Sequence, residues 1–164
     1  PEVYEELVNG VLKKRATLRA MHILERTDKT EAQLRKKLEE SEYPKEAVES
    51  AIAYVTSYGY LDDRRYAKHY IEWKKQGKGK ARLKMELAQK GISREIIEEV
   101  LESTDFGETR EMIRQIILKK RKTNIPMNEK EKQRLYGFLM RKGFASSDIL
   151  AVMREEEWRN NIEF

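Results

Sequence analysis

The chain has 164 residues, of which 39% are hydrophobic and 38% charged, and it contains no cysteine. The missing cysteines exclude a disulfide framework and cysteine-ligated zinc, and no window approaches the roughly 20 apolar residues that a membrane-spanning helix needs. With a formal net charge of +5 and no secretory signal pattern, we expect a cytoplasmic protein whose helices present charged faces to solvent.

The first 60 residues predict four helices. Apolar residues at helical spacing predict a short amphipathic N-terminal helix over 3–14 and a second helix over 16–26. Thr30 and Gln33 have the spacing of a capping box, which predicts the start of the third helix. Pro44 predicts the start of the fourth, because proline is tolerated at the first helical position.

The remaining residues predict six more helices. Asp62 and Asp63 are suited to the N-terminus of one helix, and Ser93 to the cap of another. Asn128 predicts a further helix start after a loop, and Ser146 or Ser147 caps the last helix. No stretch alternates apolar and polar residues, so no strand is predicted.

One apolar pattern recurs three times with offsets of 0, 4, 9, 14 and 18 residues. The three sets are Leu34/Leu38/Tyr43/Val48/Ile52, Leu83/Leu87/Ile92/Ile97/Leu101 and Leu135/Leu139/Phe144/Ile149/Met153. Gly91 and Gly143 precede the third position of their sets, where the left-handed backbone that ends a helix suits glycine. The recurrence predicts an all-α protein, an elongated array of three tandem three-helix repeats. The predicted segments are an N-terminal helical segment at 1–15 and repeats at 16–60, 61–104 and 105–164.

Charge is segregated along the chain. Residues 64–90 contain ten basic and two acidic side chains, and residues 113–144 again contain ten and two. Residues 91–112 between them contain seven acidic and two basic side chains. This segregation favours a polyanionic partner over helices that are merely solvated. Because the last helix of each repeat is acidic, the pattern disfavours reading of the DNA major groove by that helix and favours contact with phosphates.

Two local features have alternative interpretations. The loop Gly77-Lys78-Gly79-Lys80 lacks Walker A spacing; it either binds an anion at the following helix or is a flexible linker. Tyr66, Tyr70 and Trp73 could stack on nucleic-acid bases, but their spacing favours a buried core stripe. His22 and His69 are interpreted as helix-surface residues rather than metal ligands.

Catalytic signatures are absent from the sequence. It contains no Gly-x-Ser-x-Gly, no His-Glu-x-x-His and no glycine-rich dinucleotide fingerprint. Carboxylates are abundant but stand beside lysines on helix faces, as solvated pairs do. We therefore expect no enzymatic activity, no catalytic residues, no cofactor and no metal.

Motifs over residues 61–150 resemble those of a known family. They are Leu61-Asp62-Asp63, Tyr66-Ala67, Tyr70-Ile71, Gly77-Lys78-Gly79, Arg82-Leu83, Glu86-Leu87, Lys90-Gly91-Ile92, Leu135-Tyr136, Phe138-Leu139, Arg141-Lys142-Gly143-Phe144 and Asp148-Ile149. This set is similar to the central and C-terminal motifs of RecX regulatory proteins. The chain departs from them at Tyr66 and Tyr70, where phenylalanine is usual, at Lys80, where proline is common, and at Gly137, which is often basic.

The resemblance implies a bacterial, non-enzymatic regulator of the RecA recombinase. Such a protein binds the RecA–single-stranded DNA filament and restrains RecA ATPase, recombination and the SOS response. The residues expected to contact the filament or DNA are Arg64, Arg65, Lys74, Lys75, Lys78, Lys80, Arg82, Lys84, Lys90, Lys119, Lys120, Arg121, Lys122, Arg134, Arg141 and Lys142.

Two alternatives remain open from the sequence. One is a nonspecific single-stranded nucleic-acid-binding protein, and the other is a helical scaffold for acidic proteins. Partners are expected to be RecA, its filament and, by direct contact, single- or double-stranded DNA. We expect no membrane association and a monomeric chain, because no obligate dimer seam is evident.

Overall fold

The computed structural model describes residues 1–121 and 125–162, with side chains described up to residue 155. Within these ranges every regular element is an α-helix, which confirms the predicted all-α class. The helices are α1 (Glu2–Arg26), α2 (Glu31–Glu40), α3 (Lys45–Ser57), α4 (Asp63–Lys74), α5 (Lys80–Gln89), α6 (Arg94–Ser103), α7 (Thr109–Lys120), α8 (Glu129–Arg141) and α9 (Ser146–Ile162).

The chain forms two compact units. Unit 1 comprises residues 1–69 and 87–100, and unit 2 comprises residues 70–86 and 101–164. Both α4 and α5 therefore contribute to each unit. This grouping differs from the predicted segments at 1–15, 16–60, 61–104 and 105–164, which stay a prediction.

The predicted boundary between the first two helices is wrong, because α1 is a single helix. The sequence predicts a break between residues 14 and 16, but α1 continues unbroken for 25 residues. No proline or glycine lies at this point, and Lys14, Arg15 and Ala16 all favour helix. Only Ala16 and Ala20 of this helix are fully buried, whereas Leu7 remains 65% exposed.

Most predicted helix starts are confirmed by side-chain caps. The Gln33 amide N–H donates to the Thr30 hydroxyl at 3.2 Å, and the Thr30 amide N–H donates to the Gln33 side chain at 3.1 Å, which completes the capping box. Asn128 accepts from the Glu131 amide at 2.9 Å. Pro44 is the N-cap of α3 rather than its first residue.

The recurring apolar pattern forms the cores. Of its fifteen side chains, all but the half-buried Tyr43 are buried. In unit 1 the first set packs with Ala16, Ala20 and Leu61, and in unit 2 the third set packs with Ile113 and Ile117. Burial of the third side chain requires the chain to reverse at the residue before it.

That reversal uses the left-handed backbone in all three sets. Glu42, Gly91 and Gly143 have φ angles of 61°, 85° and 91°. A Cβ at Gly91 would lie 2.3 Å from the Ala32 Cβ, so glycine is required there for space as well as conformation. Glu42 occupies the corresponding position of the first set with its side chain exposed.

Replacement of Glu42 by glycine should raise the free energy of unfolding by about 0.5–1 kcal/mol. Glycine removes the left-handed strain of about 1–2 kcal/mol, and part of this gain is offset by the greater entropy of the unfolded chain. Chemical denaturation of the full chain measures the change. Glu39→Gly, on an exposed position inside α2, is the matched control and should instead cost about 1 kcal/mol.

Within the described part of the chain, none of the helices has the length and apolar character that crossing a bilayer requires.

Candidate polyanion-binding surface

The loop between α4 and α5 contacts the turn between α8 and α9 inside unit 2. The Gly79 amide donates to the Lys142 carbonyl at 2.7 Å. A Cβ at Gly79 would lie 2.2 Å from the Gly143 carbonyl oxygen, and a Cβ at Gly143 would lie 2.2 Å from the Arg82 amide nitrogen. The two backbones therefore meet without room for a side chain. This contact joins the two basic segments that the sequence predicts separately.

A similar contact recurs in unit 1 at the equivalent positions of the repeated pattern. The Thr30 hydroxyl donates to the Lys90 carbonyl at 2.6 Å. Thr30 and Gly79 each lie four residues before the first apolar position of their sets, and Lys90 and Lys142 each precede the left-handed glycine. The fold thus places the start of one helix against the turn of a later repeat in both units.

Glu86 holds the loop and the start of α5 in place. Its carboxylate accepts hydrogen bonds from the Lys78 ammonium at 2.5 Å, the Tyr70 hydroxyl at 2.7 Å and the Arg82 guanidinium at 3.0 Å. Burial of this side chain, which is 11% exposed, opposes its ionisation. The three hydrogen bonds outweigh burial and lower the pKa of Glu86 to about 2. Lys78 and Arg82 therefore share one carboxylate that is charged at neutral pH, which compensates part of their charge.

Several other expected contact residues have intramolecular partners. Arg64 pairs with Glu99 at 2.9 Å, and its hydrogen bond to Glu99 raises the pKa of the guanidinium. Lys75 pairs with Glu72 at 2.9 Å and donates to the Asp105 carbonyl. The remaining two are Arg65, which donates to the carbonyls of Gly59 and Tyr60, and Arg121, which pairs with Glu131. These side chains stabilise the fold locally, so their charge is partly compensated.

Other expected contact residues lie over aromatic rings. Lys80 lies 5.0 Å from the Phe106 ring, and Lys120 and Lys142 lie 3.4 and 5.2 Å from the Phe138 ring, all within unit 2. Such contacts are worth only about 0.5–1 kcal/mol at exposed sites, so these ammonium groups can turn to a phosphate at little cost. Lys119, Arg134 and Arg141 are exposed, Lys84 and Lys90 are half-buried, and Lys122 lies outside the described residues.

We define the unit 2 basic surface as Lys74, Lys80, Lys119, Lys120, Arg134, Arg141 and Lys142. Lys74 and Lys142 are half-buried, and the other five side chains are exposed. A cleft of about 470 Å³ lies beside it, with Lys80, Phe106 and Phe144 among its walls. Cations around an apolar cleft suit a ligand that carries both negative charge and apolar groups.

The predicted core stripe of Tyr66, Tyr70 and Trp73 is only partly buried. Tyr66 and Tyr70 are half-buried, as a core stripe requires, but Trp73 is 72% exposed. The core interpretation of Trp73 is therefore wrong. The sequence reasoning also missed an exposed tyrosine ladder, formed in unit 1 by Tyr54, Tyr58 and Tyr60, whose neighbouring ring centroids lie 4.7 and 5.8 Å apart.

The histidines are at exposed positions, His22 on α1 and His69 on α4. Among the described residues no group of three or more histidine and carboxylate side chains has the geometry to hold a metal ion.

Comparison with protein families gives three matches along the chain. Residues 16–54 match the first three-helix domain of RecX, residues 62–101 the second and residues 108–153 the third. These ranges account for most of the described residues.

Individual proteins agree with the family matches. The chain is 34% identical to regulatory protein RecX of Clostridium tetani over 140 residues, which cover 83% of this chain and 64% of that protein. It is 36% identical to regulatory protein RecX of Caldanaerobacter subterraneus over 150 residues, which cover 90% and 74%. The chain thus spans about two thirds to three quarters of the length of these relatives.

Two solved structures share the fold. The crystal structure of RecX from Lactobacillus salivarius superimposes with a TM-score of 0.79 at 19% identity, covering 91% of this chain and 99% of that one. A crystal structure of regulatory protein RecX gives the same TM-score at 26% identity, covering 91% and 75%.

Proposed function

Because the chain belongs to the RecX family of regulatory proteins, we propose that it regulates the RecA recombinase by binding the RecA–single-stranded DNA filament. In this proposal the unit 2 basic surface contacts the filament and inhibits RecA ATPase, recombination and SOS activities. The protein acts by binding alone, without catalysis and without a cofactor.

The observation that carries the proposal is the contact between the Gly79 loop and the Gly143 turn. Within unit 2 it joins cations from residues 70–86, which have six basic and two acidic side chains, with cations from residues 113–144, which have ten and two. A surface with this charge attracts both DNA phosphates and acidic protein patches. Filament binding uses both, because a recombinase filament presents protein and DNA together.

The choice of variant follows from the ion pairs. Reversing Lys78 or Arg82 would leave Glu86 beside a like charge, so lost activity could reflect lost structure. Lys80 and Arg141 are exposed, and neither side chain is needed by Glu86. Lys80→Glu combined with Arg141→Glu therefore tests the surface while leaving the fold intact. Arg19→Glu combined with Lys45→Glu, at two exposed positions in unit 1, is the matched control.

DNA-dependent ATP hydrolysis by RecA, with this protein well below one per RecA, tests the proposal. We expect strong inhibition by the wild type and by the Arg19→Glu/Lys45→Glu control, and at least tenfold weaker inhibition by the Lys80→Glu/Arg141→Glu variant. Equal inhibition by all three would contradict the assignment to the unit 2 basic surface. No inhibition by the wild type at any ratio would overturn regulation of RecA for this chain.

The second candidate is a nonspecific binder of single-stranded nucleic acid, favoured by the exposed indole of Trp73. It predicts inhibition only at saturating amounts of protein, in proportion to its affinity for bare DNA. A scaffold for acidic proteins, the third candidate, predicts no binding to DNA and no effect on the ATPase.

A further inference from the structure

Trp73 is the most exposed large aromatic residue of the basic segment 64–90. It lies in the last turn of α4, within unit 2, and 72% of it is accessible to solvent. Its apolar neighbours on the helix, Tyr70 and Ile71, are half-buried and buried. An exposed indole gains nothing for folding, since apolar surface left in water contributes no hydrophobic free energy. A role outside the fold is the simpler explanation of its position.

The indole is oriented by its neighbours, and most of it stays open to solvent. The Tyr70 ring meets it edge-on, with centroids 6.3 Å apart and an interplanar angle of 87°. Tyr70 is itself fixed, because its hydroxyl donates to Glu86 at 2.7 Å. The Lys74 ammonium lies over one face of the Trp73 ring, 3.8 Å from its centre. A base can therefore stack on the opposite face, or on the same face once the ammonium turns from the ring to a phosphate.

The segment that contains Trp73 and the segment that contains the tyrosine ladder have opposite formal charge. Residues 70–86, which lie in unit 2 with Trp73, have six basic and two acidic side chains, a formal charge of +4, whereas residues 42–63, which contain the ladder, have five acidic side chains and one basic, a charge of −4. Phosphates are attracted to the first segment and repelled by the second. An exposed ring among cations is the arrangement by which proteins bind single strands, with bases stacked on the ring and phosphates on the cations.

We propose that Trp73 stacks on a base of single-stranded DNA, with the ammonium of Lys74 contacting an adjacent phosphate. This contact rests on the proposed function and names the DNA-binding part of it. The competing possibility is that Trp73 contacts a partner protein. In that case its replacement would not change the preference for a strand that carries bases.

The experiment uses the full chain with Trp158→Phe, which makes Trp73 the only tryptophan. Its fluorescence is followed during titration with oligo(dT) and with an abasic oligonucleotide of the same length. Both strands carry the same phosphates, but only the first carries bases. We expect quenching by oligo(dT) and none by the abasic strand, because a stacked base quenches the indole and the abasic strand has no base to stack.

Affinity measurements separate stacking from charge. Trp73→Ala should weaken oligo(dT) binding roughly 5- to 150-fold, as expected for one stacked base, and leave abasic binding unchanged. The slope of log affinity against log salt should not change, because the number of phosphate contacts is the same. Trp73→Phe should recover part of the loss. Tyr58→Ala removes an aromatic that is 61% exposed in the acidic segment and should have no effect on either strand.

Three results would overturn the inference: no binding to either strand, binding without quenching, or equal losses on both strands after Trp73→Ala. The ATPase measurement distinguishes these failures from failure of the proposed function. If Trp73→Ala still inhibits RecA and shows no selective loss of oligo(dT) binding, the proposed regulation of RecA stands and the proposed stacking contact is rejected. If Trp73 stacks on DNA but the wild type does not inhibit RecA, the stacking contact stands and the proposed regulation is rejected.

Discussion

Replacement of Gly143 by alanine is expected to lower the free energy of unfolding by about 2–5 kcal/mol. Its φ of 91° lies in the left-handed region, where a side chain adds about 1–2 kcal/mol of strain. The new Cβ would also lie 2.2 Å from the Arg82 amide nitrogen and 2.5 Å from the Arg82 Cβ, so the two loops must separate, at a further cost of about 1–3 kcal/mol. Chemical denaturation of the full chain measures the loss.

Alanine substitutions at two other glycines distinguish the cost of backbone strain from the cost of the clash with Arg82. Gly107 has a φ of 64° with nothing within 4 Å of an added Cβ, so Gly107→Ala should show only the conformational cost, about 1–2 kcal/mol. Gly10 lies inside α1 in open space, and Gly10→Ala should stabilise the chain by about 0.5–1 kcal/mol. A loss at Gly143 no greater than that at Gly107 would mean that the loop contact is not tight.

Separation of the loops should also reduce RecA inhibition, because the same contact joins the two halves of the unit 2 basic surface. Gly107→Ala gives the comparison, since it lies outside that contact. If both variants inhibit RecA like the wild type, the continuity of the surface does not matter for the proposed function.

Local signals explain what the sequence could predict. The capping box at Thr30 and the left-handed turns at Gly91 and Gly143 each depend on a few neighbouring residues, and the structure confirms them. The apolar pattern predicts which side chains are buried because each repeat buries one face. The unbroken α1 was missed since two short amphipathic stretches and one long helix have the same local pattern at residue 15.

Contacts between distant residues could not be predicted in this way. Nothing in the spacing of Gly79 and Lys142 indicates that their backbones meet, because this depends on how successive repeats pack. The exposure of Trp73 was missed for a related reason: helical spacing shows which residues share a face but not how far a neighbour covers it. One signal for Glu86 was available, a single carboxylate one helical turn after Arg82 in a strongly basic segment.

Glu86→Gln is expected to make the protein less stable at neutral pH but not at pH 2. Glutamine keeps the volume and the hydrogen bond from Tyr70, but it removes the charge that binds Lys78 and Arg82. The folded pKa of Glu86 is about 2, below the usual 4.5, so the carboxylate stabilises the fold fully above about pH 4.5. This stabilisation is lost as the pH falls through 2. At about 1.4 kcal/mol per pKa unit, it is at most about 3.5 kcal/mol.

Partial exposure of the cations reduces this figure. The side chains of Lys78 and Arg82 are 26% and 40% exposed, and water screens part of their attraction to Glu86. We therefore expect Glu86→Gln to lower the free energy of unfolding by about 2 kcal/mol at pH 7. Urea denaturation between pH 7 and pH 2 measures this, and the wild-type and variant curves should converge as the pH falls.

Glu99→Gln is the matched control for an exposed carboxylate. Its hydrogen bond from Arg64 also lowers the pKa of Glu99, but both side chains are more than half exposed, so its removal should change the pH dependence far less. Parallel curves for wild type and Glu86→Gln over the whole range would show that Glu86 titrates normally. The hydrogen bonds to Glu86 would then do no more than offset the cost of burying its charge. A single buried carboxylate thus connects the stability of the basic loop with the aromatic surface proposed to bind DNA.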